Sequence, residues 1–114
     1  MIDMAAKRSR YMRDTIPVRL GGLAANLERV NSFSSNSKHN EAVSNILNES
    51  RYFIEWTTTE TDAEIQHELV ELQLKMSIWI RTWETVWNDP ASRSKMAKES
   101  SEWSENILRF AGLK

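Results

Sequence analysis

The stretch "AEIQHELVELQLKMSIWIRTWETVW", residues 63–87, decides the fold. Ile65, Leu69, Leu72, Met76, Trp79, Trp83 and Val86 recur in it at alternating intervals of four and three residues without a miss. An α-helix turns once in about 3.6 residues, so this spacing holds one apolar line on one side of a helix. A line sustained that far predicts a long helix, about residues 63–88, packed against near-antiparallel neighbours.

The flanking sequence supplies those neighbours. Thr15 is a candidate N-cap and Pro17 falls in the first turn, where a missing N–H costs nothing. Ile16, Leu20, Leu23, Leu27 and Val30 then carry one stripe over about residues 15–32. The polar run "NSFSSNS" (31–37) breaks the chain, and a second helix over about 38–57 shows Val43, Ile46, Leu47, Ser50, Phe53 and Ile54 on one face. "TTTETD" (57–62) is a turn with Thr61 or Asp62 as the next cap. Beyond the long helix, Asp89 and Pro90 start a fourth over about 90–111, with Met96, Ser100, Trp103, Ile107 and Phe110 aligned and Gly112 as its stop. Four helices with short connections predict an all-α, up-down-up-down four-helix bundle. The chain of 114 residues is of single-domain size, 1–114, with a basic and helical segment at 1–14.

Composition excludes several chemistries. Without cysteine there are no disulfides, thiolate nucleophiles or cysteine-ligated metals. Glu64 and His67 have the Glu-x-x-His spacing of di-iron bundles, but such sites need two of these motifs, and the other histidine, His39, begins a different helix. No metal and no cofactor is expected. There is no phosphate-binding glycine loop and no Gly-x-Ser-x-Gly, so the chain reads as non-enzymatic. Its formal net charge of -1 creates no global attraction for nucleic acid or an anionic membrane. "MIDMAAKRSRYMRD" lacks the apolar core of a secretory signal, and no run reaches the ~20 apolar residues of a membrane span. A cytoplasmic location is expected.

Three groups of residues are candidates for function. On the long helix, Val70, Leu74 and Ile78 point opposite the core stripe, where a monomer should be polar. Tyr52 and Trp56 lie away from the core face of the preceding helix, so the five residues are expected to share one apolar patch. A homodimer or other homo-oligomer would cover it; the alternative is that the long helix is central and wrapped by the N-terminal segment. Phe33, Trp83 and Trp87 should gather at the pole beside the serine-rich loop. Packing is the first reading there, and stacking of a flat ligand the second, since no convergent polar groups accompany them. Arg8, Arg10 and Arg13 in "KRSRYMR" fit an acidic protein partner, although so few cations argue against nucleic acid.

Charge and glycine placement give two further expectations. Residues 1–19 carry five cations against two acids, and residues 60–71 carry five acids and no cation, so the two blocks should meet at one pole. Gly21, Gly22, Ala24 and Ala25 thin the first long helix, at roughly 0.5–1 kcal/mol for each glycine relative to alanine. The return should be close approach of Trp103 near Ala25.

The segments "YMRDTIPVRLGGLAANLERV", "ESRYFIEWT" and "ELVELQLKMSIW" resemble a family of short cyanobacterial helical proteins of unassigned function. The resemblance spans about residues 10–112. It implies a cytoplasmic bacterial protein and carries no activity or site residues. The expected role is a self-associating protein-interaction or regulatory module. A small-ligand-binding bundle with an aromatic pocket is the alternative, and a weak nucleic-acid accessory role through the basic N-terminus is a further one.

Overall fold

A computed structural model describes residues 3–114; Met1 and Ile2, the start of the basic segment at 1–14, lie outside the described residues. The fold is all-α. Among the described residues six helices follow in order: α1 (Met4–Met12), α2 (Ile16–Phe33), α3 (Asn40–Thr57), α4 (Ala63–Arg81), α5 (Trp83–Asn88) and α6 (Pro90–Phe110). Short 3-10 turns at Ser37–His39 and Thr58–Glu60 precede and follow α3.

Helix ends follow their capping chemistry. Asp62 accepts from the Ile65 amide (3.0 Å) and Asp89 from the Ser92 amide (3.2 Å), so both carboxylates satisfy donors that the first turn leaves free. Pro90 occupies the start of α6 as expected. At the other end Gly112 adopts φ 74°, and the Leu113 amide reaches back to the Leu108 carbonyl (2.9 Å). This left-handed turn ends the helix where glycine has no Cβ penalty.

Two boundaries differ from the spacing-based reading. The helix expected over 63–88 is interrupted at Thr82, whose backbone leaves the helical region (φ -109°, ψ 27°). The Thr82 hydroxyl donates to the Ile78 carbonyl (2.8 Å), a back-bond that competes with the helix ladder. Periodicity survives the break because α5 resumes after one residue, which is why spacing alone does not reveal it. The second helix starts at Asn40 rather than at 38, because the Asn36 side chain accepts from the Lys38 amide (2.9 Å) and holds a 3-10 turn there.

α2 lies between α6 and α3. Its Leu20, Leu23, Leu27 and Val30 are among the most deeply buried side chains. Against α6, Ser104 Oγ donates to the Ala24 carbonyl (2.8 Å), and Ser101 Oγ to Glu28 (2.8 Å). Against α3, Asn26 Nδ2 donates to Ser50 Oγ (3.2 Å). Gln73 Nε2 joins α4 to the Arg51 carbonyl of α3 (3.3 Å), and Lys75 stands 3.3 Å from Glu99 of α6. Between α2 and α6 the contacts climb one helix as they descend the other, Ala24 with Ser104 and Glu28 with Ser101, so these two run antiparallel.

The glycines serve a different contact from the one expected. A Cβ on Gly21 would sit 3.2 Å from Leu113 Cδ1, while one on Gly22 meets nothing within 4 Å. Ala25 is exposed. The thin face of α2 therefore admits the folded-back C-terminus, and Trp103 packs half-buried on the core without needing the glycines.

The basic and acidic blocks meet through one residue. Arg19 is 7% exposed. Its guanidinium donates to the Asp14 carbonyl (2.9 Å), the Met12 carbonyl (3.0 Å) and the Glu60 carboxylate (2.9 Å). It thereby ties the end of α1, the α1–α2 turn and the turn after α3 together. Glu60 remains well solvated, so the ion pair itself adds little. The two carbonyls have more at stake, because losing their donor leaves them short of a partner. Arg19→Met is expected to cost about 2–3 kcal/mol in urea-induced unfolding; unchanged stability would show that the junction is held by packing alone.

Candidate functional site

The outer face of α4 is the strongest candidate. Val70, Leu74 and Ile78 are 48%, 57% and 49% exposed, while Leu69, Leu72, Met76 and Trp79 on the other side are buried. The three follow each other at one-turn intervals and form a row about 12 Å long. Leu74 lies at its centre. His67, Glu71 and Arg81, all exposed, share the face.

Tyr52 and Trp56 belong to a different cluster. Trp56 is half-buried, with its ring centroid 5.8 Å from Tyr11, 5.6 Å from Tyr52 and 6.1 Å from Phe53. Tyr11, from α1, stacks on Phe53 at 4.1 Å and 7°. So α1 covers part of the α3 surface that the sequence leaves open. Between α3 and α4 lies a polar groove of about 150 Å³ lined by Asn48, Arg51, Tyr52, Glu55 and Gln73. Tyr52 faces this groove rather than an unbroken apolar surface, and the single five-residue patch expected from the sequence resolves into two.

Besides the stacked ring and the Arg19 bond to the Met12 carbonyl, two further polar anchors hold α1. The Tyr11 hydroxyl donates to the Arg19 carbonyl (3.1 Å) and accepts from the Thr57 hydroxyl (3.1 Å). Lys7 pairs with Glu49, which also accepts from Asn26 (3.0 Å). Burial pulls the Glu49 carboxyl upward, but the hydrogen bonds from Lys7 and Asn26 outweigh it and hold it below its ordinary value. Arg8, Arg10 and Arg13 are exposed and form no ion pair among the described residues.

At the pole, Phe33, Trp83 and Trp87 do come together around the turn at 37–39. Trp83 and Trp87 stack at 5.3 Å, and their indole N–H groups donate to Asn40 Oδ1 (2.9 Å) and the Ser37 carbonyl (3.0 Å). Phe33 meets the His39 ring edge-on at 5.3 Å. Trp87 is only 2% exposed, and the Arg93 guanidinium lies 5.3 Å from its ring centre. Trp87 has no free face for a flat ligand to stack on, Phe33 and Trp83 are half-buried, and both indoles have acceptors.

Glu64 and His67 are exposed near the start of α4. Among the described residues no group of three His, Asp or Glu side chains is arranged to hold a metal ion, and no helix is long and apolar enough to cross a membrane. Comparison with protein-family models, with curated proteins and with solved structures finds no match to this chain.

Two functional candidates were not singled out from sequence. Tyr11 is the anchor of α1, and its only local signal is an aromatic in a basic run. Arg93 lies in "PASRSKMAK" (90–98), a stretch with three cations and no acid.

Burial raises the Tyr11 phenol from 10.0 to about 12; the Thr57 hydrogen bond and nearby Arg19 oppose the shift without cancelling it. The folded-state value exceeds the unfolded one. The neutral phenol therefore stabilises fully below pH 10, and that contribution disappears as pH rises through about 12. The difference in unfolding free energy between wild type and Tyr11→Phe is expected to shrink by about 2–3 kcal/mol across this window. Tyrosinate absorbance during alkaline titration checks the assignment.

Proposed function

We propose that this protein is a non-enzymatic, self-associating helical module, with the outer face of α4 pairing against the same face of a second copy. Its four long units, α2, α3, α4 with α5, and α6, are read as an up-down-up-down four-helix bundle with α1 laid against α3. The supporting observation is the row of Val70, Leu74 and Ile78, each about half exposed on a helix already buried on its opposite side. Single exposed apolar residues are ordinary, but three in line along one helix form a seam.

Charge along the helix favours one orientation. Glu64, Glu68 and Glu71 precede Leu74, and Lys75 and Arg81 follow it. A two-fold axis at Leu74 sets Val70 against the copy's Ile78 and brings Arg81 within a turn of the copy's acidic half. Parallel pairing would set like charge against like. The arrangement is isologous, as the commonest homodimers are. A standard interface buries about 800 Å² per partner. Three side chains supply only its apolar centre, so His67, Glu71, Ser77 and Arg81 have to close around it.

Replacing Leu74 and Ile78 together by Glu is expected to leave far-UV helicity intact, since both are already half in water. Light scattering should then change from dimer to monomer. A monomeric wild type, or a dimer undisturbed by the double substitution, overturns the reading.

A further inference from the structure

A recess of about 390 Å³ opens where the end of α2 and the turn after it meet the first half of α6. That volume lies within the range of small-molecule sites, roughly 300–1,000 Å³, whereas the α3–α4 groove falls well below it. Asn31, Ser34, Ser35, Arg93, Ser94 and Lys98 supply its polar groups, and no Asp or Glu lines it.

Arg93 is the key group. Its Nε donates to the Ser34 carbonyl (3.1 Å) and its Nη1 to the Trp87 carbonyl (2.7 Å). The guanidinium also lies against the Trp87 ring. These three contacts fix its plane and position without neutralising it. No carboxylate pairs with it among the described residues, and Nη2 donates to none of their atoms. A guanidinium held this way is preorganised for an oxygen anion.

The rest of the lining has the same sense. The hydroxyls of Ser34 and Ser35 are committed to the carbonyls of Val30 (2.5 Å) and Ser32 (3.0 Å). The Ser94 hydroxyl, the Asn31 amide and the exposed Lys98 ammonium remain as uncommitted donors on residues lining the same recess. The amides at the start of α6 take no part, because Asp89 already accepts from Ser92. The donor-rich, acid-free wall selects an acceptor-only group with several oxygens. Beyond that group, Pro90 and Ala97 offer apolar surface for a small organic remainder.

We propose that this recess binds a phosphoryl oxyanion, as free phosphate or as the phosphomonoester of a small metabolite, with Arg93 and Lys98 as its cations. The test is an NMR titration of the full chain, following the Arg93 Nε–H and the amides of Ser35 and Ser94. Inorganic phosphate, glycerol phosphate and acetate are added in turn at constant ionic strength. Saturable shifts with either phosphate compound are expected, and the tighter of the two names the source. Lys98→Glu, an exposed substitution, should keep the native spectrum and weaken binding at least ~5-fold. Arg93→Gln should abolish binding, with thermal unfolding recorded alongside to detect loss of fold. Shifts that never saturate, acetate binding as well as phosphate, or full affinity in a folded Lys98→Glu would each overturn the proposal.

Discussion

The close approach of α2 and α6 is the constraint from which the rest of the structure follows. Ala24 of α2 meets Ser104 of α6 closely enough for a side-chain hydroxyl to reach a main-chain carbonyl. Such proximity needs small groups, and Ala24, Ala97, Ser100 and Ser104 provide them, all buried. Larger side chains then fill the space on the far side. Leu72, Met76, Trp79 and Trp87 close the core there, and α4 reaches α6 through long side chains such as Lys75 and Glu99. α4 ends on the outside of the assembly, which leaves its second apolar row facing water.

The same geometry decides which polar groups are free and which are spent. Asn26, buried on α2, is satisfied by Glu49, Ser50 and Arg29. Arg19 is consumed by two carbonyls and Glu60, and both indoles of the polar cap have acceptors. These groups are structural because nothing is left of them to offer a ligand. Arg93 differs. It is fixed by carbonyls and a ring, neither of which cancels its charge. Two surfaces with unspent capacity are the α4 row, which is apolar, and the α2–α6 recess, which is cationic. They share no residue, and either can be altered without the other.

Local rules are enough to read the all-α class, the stripes of Leu20, Leu23, Leu27 and Val30 and of Leu69, Leu72, Met76 and Trp79, the cap at Asp89, and a cap at Thr61 or Asp62 that the structure assigns to Asp62. Each follows from a local rule: about 3.6 residues per turn, or a carboxylate near free amides. The two-sided character of α4 is legible for the same reason, whereas the gathering of Phe33, Trp83 and Trp87 follows from the expected order and length of the helices. At Trp56 and Gly21 a distant segment decided the outcome, and at Thr82 a local hydroxyl did. Trp56 carries no local sign that α1 will lie beside it. Gly21 carries none that Leu113 will fold back on it. At Thr82 a hydroxyl competes with the ladder while the apolar rhythm continues unbroken.

By itself, then, the sequence determined helix positions, their buried faces and the surplus apolar row on α4, because these depend on residues within a turn or two of one another. Tertiary structure decided which arginine is neutralised and which is left charged, and which aromatic is covered. It also decided where a recess opens. Each of those outcomes depends on groups far apart in the chain: Arg93 with Ser34, Tyr11 with Thr57, Lys7 with Glu49. No periodicity encodes such pairings, since they are set by how rigid helices stack and by what their ends bring within hydrogen-bond reach.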